Sequence, residues 1–173
     1  MQTKLIIAAV ASALAVPAVA APAASPYALS AVHADFQDEL AQIAAMPDEI
    51  GAAARAAAAL MGPHNAAQET LLLPLLARAD AAATGRASTP ADLPDAATLQ
   101  ADLTQLQEGD VALVTALAEL YAAADGAQDP AIARLAERMI WHQTADVDVL
   151  YPAALLVGAT MRGQAMGAGP SGN

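Results

Sequence analysis

Apolar residues after position 26 recur at the spacing of an α-helix, and the sequence there lacks the alternation typical of strands. The pattern predicts a first helix over 27–45 and a second over about 48–83, which contains Pro63 and Pro74. Because a proline removes one backbone hydrogen bond, we expect a break near Pro63 and a kink at Pro74. The apolar positions of the first helix are Leu29, Val32, Phe36, Leu40 and Ile43.

Two further helices follow a proline-containing loop over 84–97. A third helix is marked by Leu99, Leu103, Leu106, Leu113, Leu117 and Leu120. Pro130 opens a fourth that continues to about Leu156, and the Gly-rich tail over 161–173 is predicted to be disordered. Four amphipathic helices joined by short connections bury their apolar faces against one another. The sequence therefore predicts an all-α fold, an antiparallel up-down-up-down four-helix bundle over 27–160.

Composition agrees with a helical protein and narrows its partners. The 173 residues are 57% hydrophobic but only 3% aromatic, and much of the apolar content is alanine, which favours helix. Seven basic residues against eighteen acidic ones give a net charge of −11, so a phosphate backbone would be repelled and nucleic acid is not an expected partner. The absence of cysteine excludes disulfides and thiolate metal ligands.

Residues 1–20 have the parts of an export signal. Lys4 supplies the positive charge, an apolar run follows over 5–16, and Ala18-Val19-Ala20 fits the pattern of a cleavage site. The alternative is a membrane anchor, but the apolar run is shorter than the ~20 residues that a span needs. We therefore expect cleavage after Ala20, export to a bacterial periplasm and no stable membrane span afterwards.

The three histidines of the chain fall on three different predicted helices. His33, His64 and His142 lie on the first, second and fourth helix, and bundle metal sites are built from inward side chains on facing helices. Asp146 follows His142 at i+4, about 40° around the same helix face. We expect the three rings to converge inside the bundle with Asp146 beside them. The alternative is that each histidine is a hydrogen-bonded core or surface residue.

Two segments carry a resemblance to a known family. The run from His142 to Gly158, HQTADVDVLYPAALLVG, combines a histidine, acidic residues and an apolar YPAA-type stretch. It is similar to the final helix of hemerythrin-like (HHE cation-binding) domains. The run over 62–74, GPHNAAQETLLLP, resembles the second ligand helix of that family. The resemblance covers 27–162.

The resemblance implies a cation, iron or zinc, held within the bundle. The expected ligands are His33, His64, His142 and Asp146, with Gln68, Glu69 and Glu108 as further candidates. Gln68 stands where the family has a bridging carboxylate, and Gly109 follows Glu108 where it has an imidazole. The site is thus an incomplete version of the di-iron site, and the number of ions stays open. The gap at Gly109 predicts room for water or a small exogenous ligand such as dioxygen or NO.

Two other functions are compatible with this sequence. One is a helical scaffold or interaction module with a decayed metal site, whose histidines are stabilised by hydrogen bonds in the core. The other is an enzyme that uses bound iron for peroxide, NO or oxygen chemistry, although the sequence designates no substrate pocket. Imidazoles with one carboxylate suit Zn²⁺ or Fe²⁺ better than Ca²⁺ or Mg²⁺. Cation binding is therefore the leading hypothesis.

Overall fold

The computed structural model of the chain describes residues 27–85 and 93–167. Its elements are α1 (Tyr27–Ala44), α2 (Glu49–Ala83), α3 (Ala96–Gly126), α4 (Pro130–Ala145), a π-helical segment (Asp146–Leu150) and α5 (Tyr151–Gly167). The last three follow one another without a gap, so these two ranges contain four helices and no strand. The prediction of an all-helical bundle is confirmed. The predicted export signal over 1–20 lies outside the described residues.

Aspartates fix the points at which three of the helices begin. Asp48 Oδ1 accepts a hydrogen bond from the backbone N–H of Gly51 at 3.0 Å. Asp95 accepts two such bonds at 2.9 Å in the first turn of α3, and Asp129 accepts two at 3.1 Å in that of α4. These bonds satisfy N–H groups that have no partner within the helix. Pro130 at the first position of α4 needs none, as the sequence predicts.

Helix α2 continues through both of its prolines, so the predicted break near Pro63 is wrong. Pro63 and Pro74 both lie on the exposed side of α2. The carbonyl groups that they leave without a helical partner belong to Ala59 and Thr70, which are exposed as well. Water can replace the lost hydrogen bonds there, while the inward side of the helix keeps its packing.

The interior of the bundle consists of two apolar clusters. The first apolar cluster comprises Leu40, Ile43, Ile50, Ala54, Ala57, Met61, Leu113, Ala116, Leu117, Leu120, Leu135, Ala136 and Met139. The second apolar cluster comprises Leu72, Leu75, Leu99, Leu103, Leu106, Tyr151 and Ala154. Along α2 the change from one cluster to the other occurs between Met61 and Leu72, and along α3 between Leu106 and Leu113. The inward side chains between these positions are polar.

The C-terminal helix is longer than the sequence predicts. Helix α5 extends to Gly167, beyond the expected end near Leu156, and residues 161–167 of the predicted disordered tail are helical. Met161 packs on the second apolar cluster, and Arg162 donates a hydrogen bond to the carbonyl of Pro94 at 3.0 Å. These tertiary contacts outweigh the poor helix propensity of the glycines. None of the helices within 27–85 and 93–167 is long and apolar enough to cross a membrane.

A pair of glycine substitutions tests the close approach between the first turn of α2 and the connection that precedes it. A Cβ atom on Gly51 would collide with the backbone carbonyl of Met46, whereas one on Gly62 would meet nothing within 4 Å. We expect Gly51→Ala to lower the free energy of unfolding by about 2 kcal/mol or more. Gly62→Ala should raise it by up to about 1 kcal/mol, because alanine favours helix. Urea unfolding followed by circular dichroism measures both, and equal effects would contradict the contact.

Candidate metal centre

A layer of buried polar side chains separates the two apolar clusters. This polar layer consists of seven buried residues and the half-buried His142; the buried ones are His33, His64, Asn65, Gln68, Asp110, Gln143 and Asp146. Buried polar groups normally have hydrogen-bond partners, and leaving one without a partner costs about 1–3 kcal/mol. Yet several atoms of this layer have none, among them Nε2 of His33, Nε2 of His142 and Oε1 of Gln68. This cluster of buried polar atoms without hydrogen-bond partners indicates side chains that are arranged to bind a ligand.

Three of these side chains form a compact set of ligand atoms. His33, His142 and Asp146 each offer one atom, and the three atoms lie within 4.8 Å of one another. The rings of His33 and His142 meet edge to face with their centroids 5.4 Å apart. His142 Nε2 lies 3.7 Å from Asp146 Oδ2, across the predicted i+4 spacing. The structure thus brings together helices α1 and α4 and the start of the π-helical segment.

The π-helical segment explains how Asp146 and Tyr151 can both face inward. They lie five positions apart in the chain, which on an α-helix places two side chains about 140° apart. A π-helical turn bonds residue i to residue i+5, and here the N–H of Tyr151 donates to the carbonyl of Asp146. Both side chains are therefore buried, whereas Asp148 between them is exposed. Segments of this kind occur often at functional sites.

His33 is held by a second carboxylate outside the compact set. Its Nδ1 donates a hydrogen bond to Glu69 Oε1 at 2.8 Å, which leaves Nε2 as the free lone pair. A carboxylate that bonds the far nitrogen of a histidine ligand is a common way to orient the ring toward a metal. Burial lowers the pKa of His33, and the hydrogen bond that the ring donates to Glu69 partly opposes this. The neutral ring, which is the form that binds metal, is favoured.

Gln68 links the carboxylate of Asp146 to the hydroxyl of Tyr151. Gln68 Nε2 donates to Asp146 Oδ2 at 2.9 Å and lies 3.2 Å from the Tyr151 hydroxyl. Burial raises the pKa of Asp146, whereas the hydrogen bond from Gln68 lowers it. Burial and then the charge of Asp110 raise the pKa of Tyr151, so its phenol stays protonated. A cation at Asp146 would offset the cost of burying this carboxylate.

His64 does not join the other two histidines. Its Nε2 lies 3.0 Å from Asp110 Oδ1, although the two are too poorly aligned for a hydrogen bond. The expectation that all three rings converge is therefore met by His33 and His142 alone. Gly109 leaves room for the ring in this position, because a Cβ atom there would lie 2.8 Å from His64 Nδ1. The space predicted there for an exogenous metal ligand is filled by the ring of His64.

The third helix contributes a residue that sequence reasoning missed. Glu108, a predicted candidate, is exposed on α3, whereas Asp110 is buried in the polar layer. Asp110 continues the inward series between Leu106 and Leu113, and this helical spacing is the signal that could have identified it. Tyr151 was likewise not among the predicted ligands. Its inward position depends on the π-helical segment, which the sequence does not reveal.

Comparison of the chain with protein-family models, curated proteins and solved structures gives no match. The hemerythrin-like resemblance therefore stays a prediction, and the donor set is judged on its own chemistry. Two imidazole nitrogens and one carboxylate oxygen fit Zn²⁺ or Fe²⁺, and Nε2 of His33 and Nε2 of His142 have no hydrogen-bond partner within the described residues. The residues present thus fit one such ion.

The lowered pKa of His33 predicts how the metal-free protein responds to acid. The unfolded chain takes up a proton at His33 near its ordinary pKa of 6.5, whereas the folded chain does so only at lower pH. The contribution of this residue to stability is therefore lost as pH falls below about 6.5, by up to about 1.4 kcal/mol per pH unit. We expect the wild type to have a higher free energy of unfolding than His33→Gln, and the difference should shrink as the pH falls from about 7.5 to 5.5. Urea unfolding with a chelator present measures this difference. A His33 pKa at or above 6.5 by NMR would contradict this.

Proposed function

We propose that this chain is an exported cation-binding protein with a hemerythrin-like bundle, and that it holds one iron or zinc ion. The observation that carries the proposal is the convergence of His33, His142 and Asp146 within 4.8 Å, with two unpartnered imidazole nitrogens. Three protein ligands leave coordination positions for solvent or a small exogenous ligand such as dioxygen or NO. A bound ion would supply a Lewis acid, while Glu69 and Gln68 would orient its ligands His33 and Asp146.

Paired contacts support an antiparallel up-down-up-down arrangement. Early in α1, His33 contacts Glu69 in the later half of α2, whereas Arg55 near the start of α2 bonds the carbonyl of Ala44 at the end of α1. The later part of α2 shares the second apolar cluster with the first turns of α3 and with α5. Helix α4 shares the first apolar cluster with the later part of α3. Neighbouring helices with opposite directions account for these pairs.

The residues around the site favour one ion over two. Gln68, an amide, stands where the family would supply a carboxylate. Its Nε2 donates a hydrogen bond to Asp146. In the polar layer, the inward residue of α3 is Asp110, which lies against His64 and supplies no imidazole. With His64 held there, the compact set offers two nitrogens and one carboxylate. That donor set suits a single divalent ion.

Titration of the metal-free protein with Zn²⁺ and, without oxygen, with Fe²⁺ tests this function. Changes around a metal ligand cost about 10–100-fold in affinity, so removing a ligand itself should cost more than about a hundredfold. We expect such a loss in His142→Ala and in Asp146→Asn. Asp148→Asn and Glu108→Gln alter exposed acids nearby and should leave the affinity unchanged. Equal affinity in all variants would instead favour the helical scaffold with a decayed site.

Restoring the missing carboxylate should make the protein depend on metal for stability. The substitution Gln68→Glu would place a second negative charge against Asp146. In the wild type, Gln68 donates a hydrogen bond to Asp146 at 2.9 Å. We expect the metal-free variant to lose about 3 kcal/mol of unfolding free energy, because a buried carboxylate without a partner is costly. Zn²⁺ should recover most of this loss. Thermal unfolding with and without Zn²⁺ measures it, with Gln105→Glu at an exposed position as the control. A loss that Zn²⁺ leaves unchanged would place Gln68 away from the ion.

A further inference from the structure

An open groove runs between α2 and α3 on the outside of the polar layer. Its volume is about 710 Å³, which is in the range of small-molecule sites. Most of its walls are apolar, with Leu60, Pro63 and Leu71 from α2 and Leu106 from α3. The groove exists because the two helices present small residues to each other at its middle. These are Ala66, Ala67, Gly109 and Ala112.

His64 places one buried imidazole on the wall of this groove. Its side chain is more than nine-tenths buried, and Nδ1 has no hydrogen bond to any residue that the structure describes. Nδ1 lies beside Gly109, whose lack of a side chain keeps this edge of the ring uncovered. Thr70 and Gln105 also line the groove, but both are exposed, and the Thr70 hydroxyl is already bonded to the Ala66 carbonyl at 2.7 Å. Nδ1 is therefore the position that a bound molecule can use.

The partner of the opposite nitrogen determines what Nδ1 can bind. Nε2 faces a carboxylate oxygen of Asp110 at 3.0 Å, and a proton on Nε2 is attracted by that carboxylate, whereas a bare nitrogen would be repelled. The neutral ring consequently keeps its proton on Nε2 and has a lone pair on Nδ1. In the neutral ring Nδ1 thus accepts a hydrogen bond and does not donate one. A matching ligand must carry an O–H or N–H group.

Charge excludes a further class of ligand. Asp102 lines the same groove, and the chain has a net charge of −11. Anions are repelled from such a surface. We propose that the groove binds a neutral, mainly apolar molecule with a single hydroxyl or N–H donor, such as a phenol, and that His64 Nδ1 accepts its hydrogen bond. This site is separate from the proposed metal centre and does not depend on it.

Phenol and anisole form a matched pair of probes, because methylation removes the O–H donor from an otherwise similar molecule. We expect phenol to shift the NMR signals of residues in the groove and of His64 Nδ1 in the ¹⁵N-labelled protein. One hydrogen bond to a buried acceptor corresponds to about tenfold in affinity, so anisole should bind about tenfold more weakly. Equal binding of the two probes, shifts confined to another surface, or no binding of phenol would each overturn the proposal.

Glycine variants on the two groove helices provide the second test. In Gly109→Ala a methyl group would lie 2.8 Å from Nδ1, so we expect phenol to bind at least tenfold more weakly, with its advantage over anisole lost. Gly62→Ala adds the same methyl group in open space and should bind phenol as the wild type does. If Gly109→Ala does not fold, Ala67→Leu fills the groove from an exposed position and should abolish binding. Wild-type affinity in either Gly109→Ala or Ala67→Leu would contradict the site.

Discussion

Burial of polar side chains between two apolar clusters is the constraint on which this bundle depends. Two carboxylates, Asp110 and Asp146, and the imidazole of His33 are almost fully removed from water. Each such group must find a compensating partner or destabilise the fold. The chain supplies some partners itself, through Glu69 and Gln68. The atoms that stay without one define where a cation would stabilise the folded state, since a ligand that binds only the folded chain adds its binding energy to stability.

The two ends of the polar layer use their histidines differently. Around Asp146 the imidazoles of His33 and His142 turn free nitrogens toward one carboxylate, which suits a shared ion. Around Asp110 the ring of His64 has one nitrogen against the carboxylate and the other on an open groove. Similar residue types thus give one enclosed site and one that faces the outside. The difference originates in the helix neighbours, above all in the missing side chain of Gly109.

The sequence predicts the helices well because each has a regular apolar spacing, and it predicts the pairing of His142 with Asp146 because that contact is local. It fails where the outcome depends on another helix. The packing of α1 and α3 on α2 keeps that helix intact at Pro63, and the contact of Arg162 with Pro94 extends α5. The inward position of Asp110 could have been predicted from its spacing. The separation of His64 from the other rings could not, because it depends on how closely α2 approaches α3.

The π-helical segment has a consequence for how this chain can vary. One additional residue in that turn sets the rotation of everything after it, so Tyr151 and Ala154 face the second apolar cluster while His142 and Asp146 face the polar layer. Deleting a residue between Asp146 and Tyr151 would turn α5 by about 100° about its axis. Solvent-facing Pro152 and Leu156 would then approach the interior, and the buried side chains would rotate outward. Related sequences must therefore preserve the length of this short segment to keep both the core and the ligand set in register. The identity of its exposed residues matters less.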